Sequence, residues 1–118
     1  MKKFGEFIAE KRKSREITLR GMAEQLDISP AYLSDIEKSR RNPPDLALLE
    51  KIAEVLNLSQ EDKETMFELA GQDREEIPPD LPGYIMEKPT ARKALRLASN
   101  KGTPDEFWEA VIKKLDEE

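Results

Sequence analysis

Residues Thr18 to Asn42 read TLRGMAEQLDISPAYLSDIEKSRRN, two short apolar-periodic segments followed by a basic tail. Thr18 has the chemistry of an N-cap, with Leu19, Met22, Ala23 and Leu26 behind it at helical spacing. Asp27-Ile28-Ser29 breaks that period. Ser29 is a second cap, and Pro30 falls at the first helical position, where a missing N–H costs nothing. Tyr32, Leu33 and Ile36 continue the second segment until it fades at Lys38-Ser39. Two helices this short cannot bury their apolar faces alone, so the flanking chain must supply neighbours.

This stretch resembles the helix-turn-helix of the lambda-repressor-like, or Xre/Cro, family of DNA-binding proteins. The resemblance is carried by Leu19, Ala23 and Leu26, then Ile28, then Ser29, Tyr32-Leu33-Ser34 and Ile36-Glu37, and by Arg40-Arg41-Asn42-Pro43 after them. It continues through Leu48-Leu49, Ile52-Ala53 and Val55-Leu56 to about Gly71. It implies an all-α protein whose residues 1–71 form a five-helix DNA-binding bundle.

The resemblance also implies a site on double-stranded DNA. The second helix of the pair enters the major groove and reads bases with its first turns, here Ser29, Pro30, Ala31, Tyr32, Ser34 and Asp35. That chemistry is thin for direct readout, because no Gln, Asn or Arg stands there to make a bidentate base contact. Pro30 and Ala31 can touch a thymine methyl, and Ser34 can donate or accept. Asp35 either accepts from a cytosine amine or is a helix-surface charge. Tyr32 either reaches a phosphate or base edge through its hydroxyl or packs its ring inward. Lys38, Ser39, Arg40, Arg41 and Asn42 read as a phosphate clamp, with the helix start at Thr18 and the side chain of Arg20 as further phosphate contacts. Family members often carry Gln where this chain has Leu19, and an acid where it has Gly21. Gly21 is expected to allow a close approach by another helix or by DNA. An Arg at the place of Arg12 pairs, in the family, with the Glu at the place of Glu37, so a partly buried ion pair is expected.

On either side the pattern is also helical. Residues 3–15 carry Phe4, Phe7 and Ile8 on one face, read as core. Pro43-Pro44 ends the clamp and Asp45 caps a fourth helix. Its apolar positions, Leu46, Leu48, Leu49, Ile52, Ala53, Val55 and Leu56, are too many for one face and predict the buried centre of the bundle. Ser59 caps a fifth helix that Gly71 should stop. Residues 72–89 read as a Pro-rich linker whose apolar residues favour extended packing over a free tether. Residues 90–118 read as a C-terminal helical hairpin: Thr90–Lys101, then a helix capped by Thr103 with Pro104 first. The hairpin and the end of the linker expose Tyr84, Ile85, Phe107, Trp108, Val111, Ile112 and Leu115 for a dimer or partner contact.

Composition excludes other classes. The chain has 118 residues, 38% of them charged, with no His and no Cys. No metal, cofactor or catalytic residue is therefore expected, and no enzyme. No apolar run suits a membrane span or a signal peptide, so a cytoplasmic protein is expected. The net charge of −5 is unevenly spread. Positive charge gathers at Lys2-Lys3, Lys11-Arg12-Lys13 with Arg15, and Lys38 with Arg40-Arg41, which suits a bipolar module. The expectation is a transcriptional regulator, a repressor and a homodimer. The alternatives are an antitoxin-like protein whose C-terminal region binds a partner protein, and a fold used only for protein contact.

Overall fold

Four side-chain caps set where the helices of the first half begin. Thr18, Ser29, Asp45 and Ser59 each accept a backbone N–H three residues on, and each stands in extended backbone just before a helix. In the computed structural model, which describes residues 2–118, the elements are α1 (Phe4–Ser14), α2 (Leu19–Leu26), α3 (Pro30–Glu37), α4 (Leu46–Val55), α5 (Gln60–Arg74), α6 (Pro82–Glu87), α7 (Pro89–Lys101) and α8 (Asp105–Asp116). The described residues are thus all-α, with no strand.

The helix ends share one device. After α1, α2, α3, α4, α5 and α7 a residue turns left-handed: Glu16, Asp27, Ser39, Asn57, Glu75 and Gly102. The next N–H then reaches back five residues, as Ile17 does to Arg12, Ile28 to Ala23 and Leu58 to Ala53. This closure satisfies carbonyls that a helix end leaves bare. It also throws Ile17, Ile28 and Leu58 back onto the core, where all three pack.

The chain divides into two compact units, Met1–Pro82 and Gly83–Glu118. The core of the first is Phe4, Phe7 and Ile8 from α1, Met22, Ala23 and Leu26 from α2, Leu33 and Ile36 from α3, Leu49, Ile52, Ala53 and Leu56 around α4, and Met66, Phe67, Leu69 and Ala70 from α5. The helix α4 is not buried all round. Leu46 is exposed, Leu48 and Val55 are half-buried, and Glu50, Lys51 and Glu54 face water. The surplus apolar positions sit at its edges, and Pro43 and Pro44 are buried just before its start.

Two expectations about residues 71–89 change. Gly71 does not end α5, which continues to Arg74. Gly71 is instead a point of close approach: a Cβ there would lie 2.8 Å from Pro78 N and 2.9 Å from Glu76 O. The chain after α5 folds back across that glycine. Nor is 72–89 one extended linker, since Pro82–Glu87 forms a helix that Pro82 can begin without losing a hydrogen bond.

In the second unit Arg92 Nη1 donates to the carbonyls of Ile85, at 2.9 Å, and Met86, at 2.7 Å. The helix α7 starts at Pro89, not Thr90. Thr103 does not cap α8. Its N–H closes α7 on Ala98 O at 2.9 Å, and Pro104, held extended, precedes the helix without a side-chain cap. Between α7 and α8 lies an apolar groove of about 510 Å³ lined by Leu97, Ala98, Phe107, Trp108 and Val111 among others. Among the described residues no helix is long and apolar enough to cross a membrane.

Candidate nucleic-acid interface

The site is built on α2, α3 and the loop after them. Thr18 Oγ1 accepts the Gly21 N–H at 2.9 Å, and Ser29 Oγ accepts the Tyr32 N–H at 3.1 Å. Between the two helices only Asp27, Ile28 and Ser29 intervene, and the left-handed Asp27 makes the sharp turn. Leu33 and Ile36 bury one side of α3. The opposite side shows Ser29 and Ala31 exposed, with Pro30, Ser34 and Asp35 half-buried. Arg20, Lys38, Arg40, Arg41 and Asn42 are all exposed.

Contacts in the fold place three of the expected residues. Asp35 is turned toward the loop, where its two carboxylate oxygens lie 3.7 Å from Arg40 Nη1 and 3.7 Å from Arg41 Nε. Both guanidinium groups remain largely open, at 66% and 60% exposure, so these pairs are weak tethers. The Tyr32 ring packs against the edge of the core, and the Arg41 guanidinium carbon stands 5.3 Å from its centroid. Gly21 makes no approach to another helix. The nearest atom to a Cβ there is Thr18 Oγ1, at 2.9 Å, so the glycine leaves room for the cap. Leu19 packs against the core and offers nothing polar.

A buried ion pair joins α1 to the end of α3. Arg12 Nε donates to Glu37 Oε2 at 2.7 Å and Arg12 Nη2 to Glu37 Oε1 at 3.0 Å. Arg12 Nη1 donates to Ile17 O at 2.9 Å, so the guanidinium also holds the turn into α2. The side chains are only 11% and 8% exposed. The hydrogen bonds it donates to Glu37 outweigh desolvation and hold the Arg12 guanidinium above its already high ordinary pKa.

Several positioning residues were not legible from pattern alone. A Cβ on Gly5 would lie 2.4 Å from Ile36 O and 2.6 Å from Glu37 O, so α1 meets the last carbonyls of α3 at a glycine. Arg74 Nη1 donates to Pro43 O at 2.6 Å, bracing the exit of the basic loop from the end of α5. Asp73 Oδ2 accepts the Phe4 N–H at 3.0 Å and so caps α1 from across the bundle. Arg15 Nε donates to Leu56 O at the end of α4. Only the glycine in the first turn of a helix hinted at any of these.

The sequence profile described as "Helix-turn-helix" matches residues 8–61, which include all of α2, α3 and α4. The SinR chain of a structure described as the crystal structure of the master regulator for biofilm formation SinR in complex with DNA is 32% identical, and the match covers 53% of this chain and 95% of that one, with a TM-score of 0.48. The chain belongs to the Xre/lambda-repressor-like helix-turn-helix family. Members of that family are DNA-binding regulators rather than enzymes. A second structure, a SinR protein/SinI protein complex, matches at 21% identity over 96% of this chain and 94% of that one, with a TM-score of 0.46. No curated protein matches the chain.

Proposed function

We propose that the protein is a repressor that binds duplex DNA sequence-specifically, with α3 in the major groove and the loop 38–42 on the phosphates. The observation that carries this reading is the side of α3 turned away from the core, with Ala31 exposed and Pro30, Ser34 and Asp35 half-buried, followed by a loop in which Lys38, Arg40 and Arg41 are all exposed. A helix side of Ser29, Pro30, Ala31, Tyr32, Ser34 and Asp35 fits a groove sterically but offers few base contacts. Asp35 is only weakly tethered to Arg40 and Arg41, so direct readout rests on the short side chains of Pro30, Ala31 and Ser34 and on the Asp35 carboxylate. Modest discrimination per half-site follows, with DNA shape and a paired half-site supplying the rest. Thr18, Arg20, Lys38, Arg40, Arg41 and Asn42 take the phosphates. The test is methylation interference on duplexes selected by the protein from a random pool. Interference at guanine N7, which faces the major groove, in two clusters about 34 Å apart supports the reading. Interference confined to the minor groove contradicts it.

In this reading the first unit binds DNA, and the second, through Tyr84, Ile85 and the hairpin 90–118, joins a second copy of the chain in the cytoplasm. Phe107, Ile112 and Leu115 are exposed, while Trp108 and Val111 are half-buried at the groove. Between Pro89 and Lys101 stand Arg92, Lys93, Arg96 and Lys101 with no acid, whereas α8 opens with Asp105, Glu106 and Glu109. Two copies that set α7 against α8 bring opposite charges together around apolar contacts. The second reading, an antitoxin-like use of this unit on another protein, rests on the same exposed side chains. A purified full chain of dimer mass, becoming monomeric without residues 83–118, supports the homodimer. A monomer whose Trp108 fluorescence shifts only on adding a partner favours the second reading.

A further inference from the structure

The basic loop does not stand alone. It forms one wall of a polar cavity of about 370 Å³ whose other wall is the start of α1, and Lys3, Arg40, Arg41, Asn42 and Asp73 are among its lining residues. Those five include three cations and one carboxylate, a balance of +2 in a chain whose net charge is −5. One oxygen of that carboxylate, Asp73 Oδ2, accepts the Phe4 N–H, which holds the side chain toward α1. The ammonium of Lys3 has no carboxylate within 4.0 Å among the described residues. Arg40 and Arg41 are held only loosely, each 3.7 Å from Asp35. The walls are fixed from behind by Arg74 on Pro43 O and by Asp73 on α1. A braced, net-positive recess with one unpartnered ammonium, two guanidinium groups and an amide is the chemistry that receives a phosphate group.

We propose that this cavity is a phosphate site, with Lys3 as its third cation, and that its occupant is a backbone phosphate of the bound DNA. The inference rests on the DNA-binding reading above and extends the contact from the loop onto α1. Steric access favours this source, because the loop that must already lie against the duplex forms the wall of the recess. A free phosphorylated small molecule shares the same chemistry and is the other source the test must separate.

The experiment uses the full chain, Lys3→Gln, and the Arg40→Ala/Arg41→Ala variant, each titrated by fluorescence anisotropy onto a duplex selected by the wild type, at several salt concentrations. Lys3 is exposed, so Lys3→Gln should melt with the wild type. The expected result is a salt slope smaller by about 0.9, the value of one phosphate contact, with affinity down roughly three- to tenfold and an unchanged order of preference among DNA sequences. A second arm adds pyrophosphate without DNA and follows the backbone amides of Lys3, Arg40 and Arg41 by NMR. If the wild type binds DNA and Lys3→Gln binds with the same slope and affinity, the phosphate site is refuted while the DNA-binding reading stands. If the wild type binds no duplex, the DNA-binding reading fails. Saturable amide shifts with pyrophosphate then assign the cavity to a small phosphorylated ligand, and their absence overturns the site altogether.

Discussion

Replacing Glu37 by Gln should be among the most damaging single changes in the first unit. The geometry sets the magnitude. Arg12 and Glu37 share two hydrogen bonds of 2.7 and 3.0 Å, with side chains 11% and 8% exposed. Breaking a buried pair strands a charge and costs about 3–5 kcal/mol. Arg12 keeps its bond to Ile17 O and a sliver of solvent, so the lower end, about 3 kcal/mol, is expected. A unit of this size has roughly 4–12 kcal/mol in all. The loss should lower the melting temperature by about 12–24 °C, at about 4–8 °C per kcal/mol. The double variant Arg12→Met/Glu37→Met leaves no charge behind and should recover most of the loss. Because Arg12 has its pKa raised in the fold, the contribution of its charge is fully present below the unfolded value and is lost only as pH rises through the higher folded one. The difference between wild type and Glu37→Gln should therefore stay constant from about pH 7 to pH 10. Urea titrations followed by far-ultraviolet circular dichroism measure both quantities. Single variants that each cost under about 1 kcal/mol, or that add without coupling, would refute a buried pair holding α1 to α3.

Other outcomes follow from single contacts. Gly5→Ala sets a Cβ against the Ile36 and Glu37 carbonyls and should cost about 1–3 kcal/mol, read from the urea midpoint, despite the better helix propensity of Ala. Glu75→Gly relieves a left-handed backbone at φ 56 and should stabilise by about 0.5–1 kcal/mol after the entropy of Gly is counted. The Lys11 hydrogen bond holds the Asp62 carboxyl below its ordinary pKa. Its contribution is thus present above the unfolded value, near pH 4, and is lost as pH falls through the folded one, so Asp62→Asn should flatten the acid limb of the stability–pH curve. Arg74→Ala frees Pro43 O and should weaken DNA binding while leaving sequence preference unchanged, as a competition among selected duplexes can show.

What could be read from sequence was what local chemistry controls. Thr18, Ser29, Asp45 and Ser59 announce helix starts because a short polar side chain before an apolar period has few other uses. Helix ends were harder. Glu16, Ser39 and Glu75 turn left-handed without being glycine, and Gly71 sits inside a helix because Pro78 crosses it. Thr103 and Pro104 carry a start signal, but Thr103 closes α7 with its N–H and α8 starts one residue later, at Asp105. The same limit applies at the candidate interface. The exposed residues of α3 and the loop were legible as a group. Their mutual contacts, Asp35 with Arg40 and Arg41, Arg41 with Tyr32, and Arg74 with Pro43, depend on where distant segments meet.

The most direct test of the central claim is enrichment of genomic DNA by the purified full chain, with the Arg40→Ala/Arg41→Ala variant alongside. A short palindromic motif with half-sites about one helical turn apart is expected, and its loss in the variant. Diffuse or absent enrichment by the wild type, or an unchanged motif in the variant, would contradict it.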